Sequence, residues 1–573
     1  MGFLNITFSI TISILICIGY GSLLLNLLRI RDFKNNELIS EYIIVGVLFI
    51  GVIALLLNFV TNISSIVSNT VSIIGILLFF LFYLKKINKN LILNILYILL
   101  ITLILLIFSK HQEDFPWYSL PFISILNEEK IIFGLANVQF RFGHISLLQY
   151  TSSVFNNFLS INNILTPYAV TVSSFIILCT KIFIKNLNNF KNRISFLYII
   201  LVLTFCLLKF TRYNEFGNDI PAHIIVFYSI YKSIFIIENL SSRRDIFDDL
   251  KKLLVFTSFA IMQKIQTGFV LLLPICIIYL LNKKNLEIKK IYKTTIVCII
   301  FLTLWSFKTF INTGCFVYPA QFTCINNVSW VSKNFNQHSY AKKVKIESES
   351  WSKGWVDQNK LNYEDYSKNF NWLKTWFGKH FLVIIKSVTP FIILILSPVI
   401  YYNFIKKNKY NFKESYIKFF NKQKVIIFIL LINVSVWFFF FPIYRYGLAF
   451  LISAIIFCVI PLYLQINYAA INKIIKKIII LLFIFFLSKN ILRIFNHFEV
   501  YDNYPWPKIF SEENNQYKKY TRVLKDNYHY ILYPADERAC YYSYYICSHH
   551  GHIFDKELII RFKKYNYKTY EYK

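Results

Sequence analysis

Acidic side chains that could catalyse proton transfer occur in the stretch 109–144, directly after a long apolar run. His111 is followed by the adjacent carboxylates Glu113 and Asp114. Two carboxylates at the end of a membrane span are costly unless they face water, a cation or a substrate. We therefore predict an active-site loop in which Asp114 or Glu113 takes a proton from an acceptor hydroxyl. The alternative is that the acidic pair only caps and solvates the end of the span.

Aromatic residues follow the acidic pair in the sequence FPWY, which ends with Trp117 and Tyr118. Rings of this kind belong at the membrane interface and suit an apolar or sugar-bearing ligand. We expect Trp117, Tyr118 and the preceding His111 to bind substrate. Arg141, later in the same stretch, is a further candidate, with a surface role as its alternative.

Charged residues at membrane depth provide a second set of candidates. Asp219 lies in FGNDIPAH, Lys264 in MQKIQ and Arg445 in the very short turn PIYRYG. Such charges often mark a substrate path or a paired site, and a cation there could hold a lipid phosphate. We predict that Asp219, Lys264 and Arg445 bind substrate, although Asp219 could equally belong to a plain polar turn. For Lys308 we expect snorkelling to the lipid headgroups.

The composition indicates a polytopic membrane protein. The chain has 573 residues, of which 56% are hydrophobic, and its mean hydropathy is +0.49. Its formal net charge of +32 would suit a nucleic-acid partner. We predict no such partner, because much of the positive charge falls in short loops between apolar runs.

Apolar runs of span length recur along the chain and predict an all-α fold of about 12–14 transmembrane helices. Around Lys264 we expect a broken or re-entrant hairpin, and at 144–160 an interfacial helix rather than a span. The predicted spans are 4–27, 40–61, 66–84, 92–109, 163–183, 194–210, 221–238, 253–263, 267–282, 294–311, 381–403, 425–441, 447–468 and 478–492.

Basic residues alternate with the predicted spans and therefore predict a topology. They concentrate in every second connection, around 29–34, 85–89, 185–193, 243–252, 283–290, 406–424 and 473–477. These connections should be cytoplasmic, which places both termini outside. In a bacterium the protein would then be a multi-pass protein of the inner membrane, with its acidic loop on the periplasmic side.

The same topology divides the chain into two predicted domains. Residues 1–492 form the membrane domain, with an acidic outer loop at 110–162 and a large outer loop at 312–380. Residues 493–573 form a small outer C-terminal domain. The large loop contains five tryptophans, for each of which we favour a core or anchoring role over ligand binding.

Two pairs of cysteines fall in the predicted outer segments. Cys315 and Cys324 share the large loop, and Cys540 and Cys547 share the C-terminal segment. Each pair could form a disulfide in an oxidising compartment, and neither has the usual spacing of zinc ligands. A metal site with His549, His550 and His552 beside Cys547 is the less favoured alternative. Motifs for nucleotide cofactors are absent from the sequence.

The layout resembles that of the GT-C class of integral-membrane glycosyltransferases, which have many spans, an acidic motif in an early outer loop and often an outer C-terminal domain. The segments EDFPWYSLPF, GLANVQFRFGH, FGNDIPAH, TGCFVYP and PIYRYG also look like those of an uncharacterised family of bacterial polytopic membrane proteins. In GT-C enzymes the acidic loop usually follows the first span. Here it follows the fourth predicted span, so three additional helices would precede the core.

The resemblance implies transfer of a sugar from a polyprenyl-phosphate donor to a glycan or lipid-linked acceptor of the cell envelope. Asp114, or Glu113, would match the catalytic acidic position of the class. No cofactor is then required, with a divalent cation shared by Asp114 and Asp219 as an option. The alternatives are a flippase for lipid-linked sugars, an O-antigen polymerase or ligase, and a non-catalytic envelope assembly protein.

Overall fold

Helices dominate the computed structural model. It describes residues 2–30, 39–107, 115–156, 158, 163–187, 193–211, 219–240, 246–283, 288–326, 328, 330, 337–355, 361–406, 412–466, 468–496, 520–526, 529–534, 540–543, 546–548, 558–563 and 567–572. The α-helices of the first half are α1 Gly2–Leu27, α2 Ile39–Asn58, α3 Ser65–Tyr83, α4 Lys89–Ile107, α5 Leu120–Glu128, α6 Leu135–Val138, α7 Leu147–Asn156, α8 Thr166–Asn186, α9 Arg193–Lys209, α10 Asp219–Asn239 and α11 Phe247–Gln263.

The second half of the chain adds nine more α-helices within the described residues. They are α12 Leu272–Asn282, α13 Tyr292–Thr313, α14 Gln337–Ser352, α15 Tyr363–Ser367, α16 Leu373–Trp376, α17 Leu382–Lys406, α18 Phe412–Phe440, α19 Tyr444–Gln465 and α20 Tyr468–Asn496. Short 3₁₀ helices cover Leu84–Lys86, Phe140–Gly143, Ile265–Leu271, Ile288–Ile291 and Gln321–Thr323, and π-helical turns cover Phe115–Ser119 and Phe377–Phe381.

Twelve helical segments in the described part of the chain are long and apolar enough to cross a membrane, which confirms the polytopic helical class. The other two predicted spans, 194–210 and 253–263, correspond to α9 and α11. Each of these helices has 17 residues, the short end of the length that crosses a bilayer. The segment 144–160 contains α7, which has only 10 residues and cannot cross a membrane.

Burial separates central helices from peripheral ones. The apolar span of α10 is 94% buried inside the protein and that of α2 is 89% buried, whereas that of α20 is only 22% buried. The exposed side chains of α20 are mostly Ile, Leu and Phe, which suits contact with lipid chains. The charged residues of α10 therefore lie in the middle of the bundle.

Close packing of α1 on α2 depends on glycine. A methyl group built at Gly46 of α2 would overlap the backbone carbonyl oxygen of Cys17 in α1, and one at Gly21 would overlap the carbonyl of Tyr42. Small residues of this kind let membrane helices approach closely, where van der Waals contact stabilises them.

The C-terminal segment adds β-structure that the all-α prediction did not include. The strands are β1 Tyr520–Asp526, β2 His529–Pro534, β3 Ile546–Cys547, β4 Leu558–Lys563 and β5 Tyr567–Tyr572. β1 and β2 are antiparallel, β3 joins β2 in parallel, and β4 and β5 form an antiparallel pair. The strands with six or seven residues are rich in Tyr, Thr, Val, Ile and Phe, which favour β-structure. The all-α class therefore applies to the membrane domain only.

The C-terminal segment packs on the segment that follows the acidic pair. The backbone N–H of Tyr541 donates to the carbonyl of Pro116 at 2.8 Å, and the Ser548 hydroxyl donates to the carbonyl of Val138 at 3.0 Å. A disulfide joins Cys540 to Cys547 within this contact. A second disulfide joins Cys315 to Cys324 just after α13.

Candidate functional site

Asp219 is the centre of a charge cluster at one end of the bundle. It is the first residue of α10, where the helix dipole favours a negative charge. One carboxylate oxygen pairs with the ammonium of Lys264, and the other lies 3.8 Å from Nε of Arg445. The structure therefore brings together three of the predicted substrate-binding residues, which come from three separate parts of the chain.

Lys264 reaches Asp219 because the chain is broken at this residue, as the sequence predicted. α11 ends at Gln263, Lys264 is extended with φ −157° and ψ 116°, and the chain continues as a 3₁₀ helix. The side-chain oxygen of Gln263 accepts a hydrogen bond from the backbone N–H of Leu148 at 3.1 Å, which fixes the break against α7. The Lys264 ammonium lies 4.0 Å from the centre of the Tyr446 ring, a cation–π contact.

Arg445 is held by the turn between α18 and α19. The indole N–H groups of Trp376 and Trp437 donate to the carbonyls of Pro442 and Ile443, at 2.7 and 2.8 Å. These two bonds satisfy backbone carbonyls that the break between the helices leaves without helical partners. The turn is therefore a rigid support for the first residues of α19, including Arg445.

His223 connects α10 to the same turn. Its Nε2 lies 2.6 Å from the backbone carbonyl oxygen of Arg445, so Nε2 carries the proton and donates it. His223 follows Asp219 by four residues, which places both side chains on one face of α10. This spacing was a signal in FGNDIPAH, but the sequence analysis did not assign His223 to the site.

A second part of the cluster comes from the stretch after the acidic pair. The Arg141 guanidinium lies 4.9 Å from the centre of the Tyr118 ring. Burial, helped by the positive charges of Arg141 and Lys264, lowers the pKa of His144 to about 4. His144 is thus neutral at physiological pH, and the charges of both Arg141 and Lys264 act on it.

The predicted catalytic residues Glu113 and Asp114, and the predicted substrate-binding residue His111, lie outside the described residues. Asp114 directly precedes Phe115, where the described π-helical turn Phe115–Ser119 begins. That turn contains Trp117, which is half-buried, and Tyr118, whose ring packs against Arg141. Of the predicted loop, the structure therefore describes the aromatic residues but not the acidic ones.

Two cations share one carboxylate in the described part of the site. Lys264 and Arg445 both face Asp219. Arg141 adds a third cation, whose charge acts on His144 and on Glu347. Arg445 is the most accessible of the central three, with 26% of its side chain exposed against 10% for Lys264 and 11% for Asp219. Arginine binds phosphate and carboxylate through its planar set of N–H donors, so this arrangement can bind an anionic group.

Across the described ranges, no group of three or more His, Cys, Asp or Glu side chains has a geometry suited to a metal ion. His549, His550 and His552, the less favoured metal alternative, lie outside these ranges.

The tryptophans of the large loop 312–380 mostly form packing contacts. Trp372 and Trp376 are buried in a cluster with Trp437 of α18, and Trp330 packs edge-on against Phe133 at 5.0 Å. Trp351 differs, because 47% of it is exposed. The loop thus fixes the turn that carries Arg445, and its buried rings are not available to a ligand.

Lys308 was predicted to snorkel, and this prediction is wrong. Its side chain is 2% exposed, and its ammonium donates to the side-chain oxygen of Asn58 in α2 at 2.8 Å. The buried polar partner on the neighbouring helix turns the side chain inward, which hydropathy alone cannot predict.

A second charge cluster, which the sequence analysis missed, lies towards the other end of α10. Glu41 of α2 pairs with Lys252 of α11 at 2.6 Å and with Lys232 of α10 at 3.4 Å. Lys232 also pairs with Asp249 at 2.8 Å, and the Tyr228 hydroxyl donates to Glu41. Lys252 had been counted among the cytoplasmic loop charges, but it is buried inside α11.

Comparison with known proteins gives a family but no activity. No curated protein and no solved structure matches the chain. One family model matches residues 3–452, which covers the membrane domain from α1 into α19 and includes Asp219, Lys264 and Arg445. The chain therefore belongs to the family described as "Domain of unknown function (DUF8201)".

Proposed function

We propose that the protein is a GT-C-like glycosyltransferase that moves a sugar from a polyprenyl-phosphate donor to a cell-envelope acceptor. The observation that carries the proposal is the convergence of Lys264 and Arg445 on Asp219, at one end of a bundle of membrane helices. A lipid-linked donor needs a site where its chain lies among apolar helices while its phosphate meets cations. The Asp219 cluster supplies such cations.

In the proposed reaction Arg445 binds the donor phosphate, assisted by Lys264. Asp219 holds both cations in place before the donor binds, so that little rearrangement is needed afterwards. Arg445 has the accessible side chain and would make the first contact. The lipid phosphate then leaves as a group that is already paired with positive charge.

The acceptor hydroxyl is proposed to attack the anomeric carbon directly and to give its proton to Asp114 or Glu113. The bond between the anomeric carbon and the donor phosphate oxygen breaks as the new glycosidic bond forms. Both carboxylates directly precede the Phe115–Ser119 turn, and Tyr118 of that turn contacts Arg141. This connection supports a base close to the cationic cluster.

The test is transfer of labelled sugar from a polyprenyl-phosphate donor by the purified protein in lipid. A general base typically contributes a factor of about 10²–10⁴, so Asp114→Asn or Glu113→Gln should lower the rate of transfer by that much. The matched control is Asp365→Asn, which changes a carboxylate that is 53% exposed on the large loop and should have no effect. Full activity in both Asp114→Asn and Glu113→Gln would remove this loop from the mechanism.

Arg445→Ala tests the donor site separately. Loss of a hydrogen bond to a charged group should raise the KM for the donor about tenfold to a hundredfold, while the site of proton transfer is unchanged. Lys368→Ala, at a lysine that is 55% exposed, is the control for loss of a positive charge. If the protein moves the intact donor between leaflets without cleaving it, it is a flippase and not a transferase.

A further inference from the structure

A small cavity lies beside Lys308, and none of its lining residues belongs to the Asp219 cluster. Its volume is about 10 Å³, which is room for one water molecule or one monatomic ion. Its polar lining comes from Lys308 and Asn312 of α13, Asn58 of α2, and the pair Glu129 and Lys130 that follows α5. Three of these residues, Asn58, Lys308 and Asn312, are at most 2% exposed.

The side chain of Lys308 lines this cavity. Its ammonium has three N–H donors, and one of them is used by the side-chain oxygen of Asn58. Within the described part of the chain, no carboxylate forms an ion pair with Lys308, although Glu129 lines the same cavity. Burial without such a pair disfavours the ammonium form of Lys308, and a bound anion would stabilise that form.

Asn58 is neutral and so cannot balance a charge on Lys308. Its other hydrogen-bonding groups bind the segment after α5. Its side-chain N–H donates to the carbonyl of Glu129 at 3.0 Å, and its backbone carbonyl accepts from Ile131 at 2.9 Å. Asn58 thereby fixes the segment after α5 to the end of α2 and closes one side of the cavity.

Asn312 lines the same cavity with a side chain that has no hydrogen-bond partner among the described residues. It is 1% exposed, and neither its amide nitrogen nor its amide oxygen forms a hydrogen bond with another described residue. Buried amides nearly always have a partner, so this amide points to a ligand. Its two N–H donors and the remaining donors of Lys308 are suited to an acceptor that carries negative charge.

We propose that this cavity is a binding site for a single halide ion, with chloride as its ligand in the cell. The ion accepts hydrogen bonds from Lys308 and Asn312 and neutralises the buried ammonium. It thereby stabilises the contact between α2, α13 and the segment after α5. A water molecule would satisfy the same N–H donors but would leave the charge unbalanced.

The test compares thermal unfolding of the purified protein in sodium chloride and in sodium gluconate at equal ionic strength. A ligand that binds only the folded state raises the unfolding temperature with its concentration, so chloride should stabilise the wild type and gluconate should not. Lys308→Met should abolish the difference. Asn312→Leu should weaken chloride binding at least about tenfold, because it removes a donor to a charged acceptor.

Lys368→Met is the matched control, since it removes an exposed lysine and should leave the chloride response intact. A crystal of the wild type soaked in bromide provides a measurement that does not depend on any variant folding. Anomalous density beside the Lys308 ammonium supports the site. Equal unfolding temperatures in the two salts, or a water molecule in the cavity of the bromide-soaked crystal, would overturn it.

Discussion

Asp219 faces two cations, Lys264 and Arg445. The Lys264 and Arg445 side chains come from a break between helices and from the first turn of a helix, where backbone groups are already constrained. Such an arrangement keeps the two cations apart from each other yet within reach of the same anion. At the level of single residues, the site depends on this shared carboxylate.

Replacing Asp219 should therefore destabilise the protein through the cations that it leaves behind. We expect Asp219→Asn to lower the free energy of unfolding by about 1–3 kcal/mol, since it removes the carboxylate charge that both cations face. Lys264→Met should cost less in the Asp219→Asn background than in the wild type, with a coupling of about 0.5–3 kcal/mol. A double-mutant cycle of unfolding free energies measures this coupling, and additive effects would contradict a direct ion pair.

His144 should make stability depend on pH. Its pKa in the folded protein is about 4, below the usual 6.5, because of burial and of the charges on Arg141 and Lys264. Between these values the unfolded chain binds a proton that the folded protein does not, so stability falls as pH is lowered from about 6.5 to about 4. The loss from this residue between pH 7 and pH 5 should be about 2 kcal/mol.

The measurement for His144 is the unfolding free energy at pH 7 and at pH 5, in the wild type and in His144→Gln. The variant should lose less stability than the wild type over this range. His338→Gln, which removes a histidine of α14, provides the control for loss of an imidazole. An unchanged pH dependence in His144→Gln would show that other groups control it.

At the level of elements, the Glu41 cluster connects three central helices. Glu41 of α2 contacts Lys232 of α10 and Lys252 of α11, and all three side chains are at most 7% exposed. Every charge in the cluster has an opposite partner, because Asp249 balances the second lysine. A buried network of this kind fixes which helices pack together, provided that each member remains paired.

Glu41→Gln should destabilise the bundle by about 3–5 kcal/mol, because it leaves a buried positive charge unbalanced. The control is Glu414→Gln, which breaks an exposed pair with Lys418 and should have little effect on stability, because solvent screens this pair. Adding Lys252→Met to Glu41→Gln should restore part of the loss. Equal effects of Glu41→Gln and Glu414→Gln in thermal unfolding would mean that the buried cluster does not hold α2, α10 and α11 together.

The helices were more predictable than their contacts. Long apolar runs fix the spans because the bilayer sets their length, and the polar sequence MQKIQ correctly marked the break at Lys264. The pairs Glu41–Lys252 and His223–Arg445 join residues about two hundred positions apart, and nothing local specifies them. The strands of the C-terminal segment were missed because Tyr and Lys dominate it, which hides the alternation of apolar and polar residues.

At the level of the whole molecule, two observations relate distant segments to one end of the bundle. The contact of Tyr541 with Pro116 places the C-terminal segment beside the start of the predicted active-site loop. The Asp219 cluster places the ends of α10, α11 and α19 together. Along α10, Lys232 is thirteen residues beyond Asp219, or about 20 Å, so the Glu41 cluster lies well away from this end.

The predicted topology places the Asp219 end outside and the basic connections inside the cell. Single cysteines introduced near Lys89 and Lys409 should therefore be labelled only from the cytoplasm by a reagent that cannot cross the membrane. Cysteines near Trp351 and Lys573 should be labelled from outside. Since the C-terminal segment contacts Pro116, a tag at Lys573 and one beside the 115–119 turn must report the same side. Labelling of the Trp351 and Lys409 positions from the same side would contradict the topology. Labelling of all the predicted outer positions from the cytoplasm would invert the topology and place the proposed donor site on the cytoplasmic face.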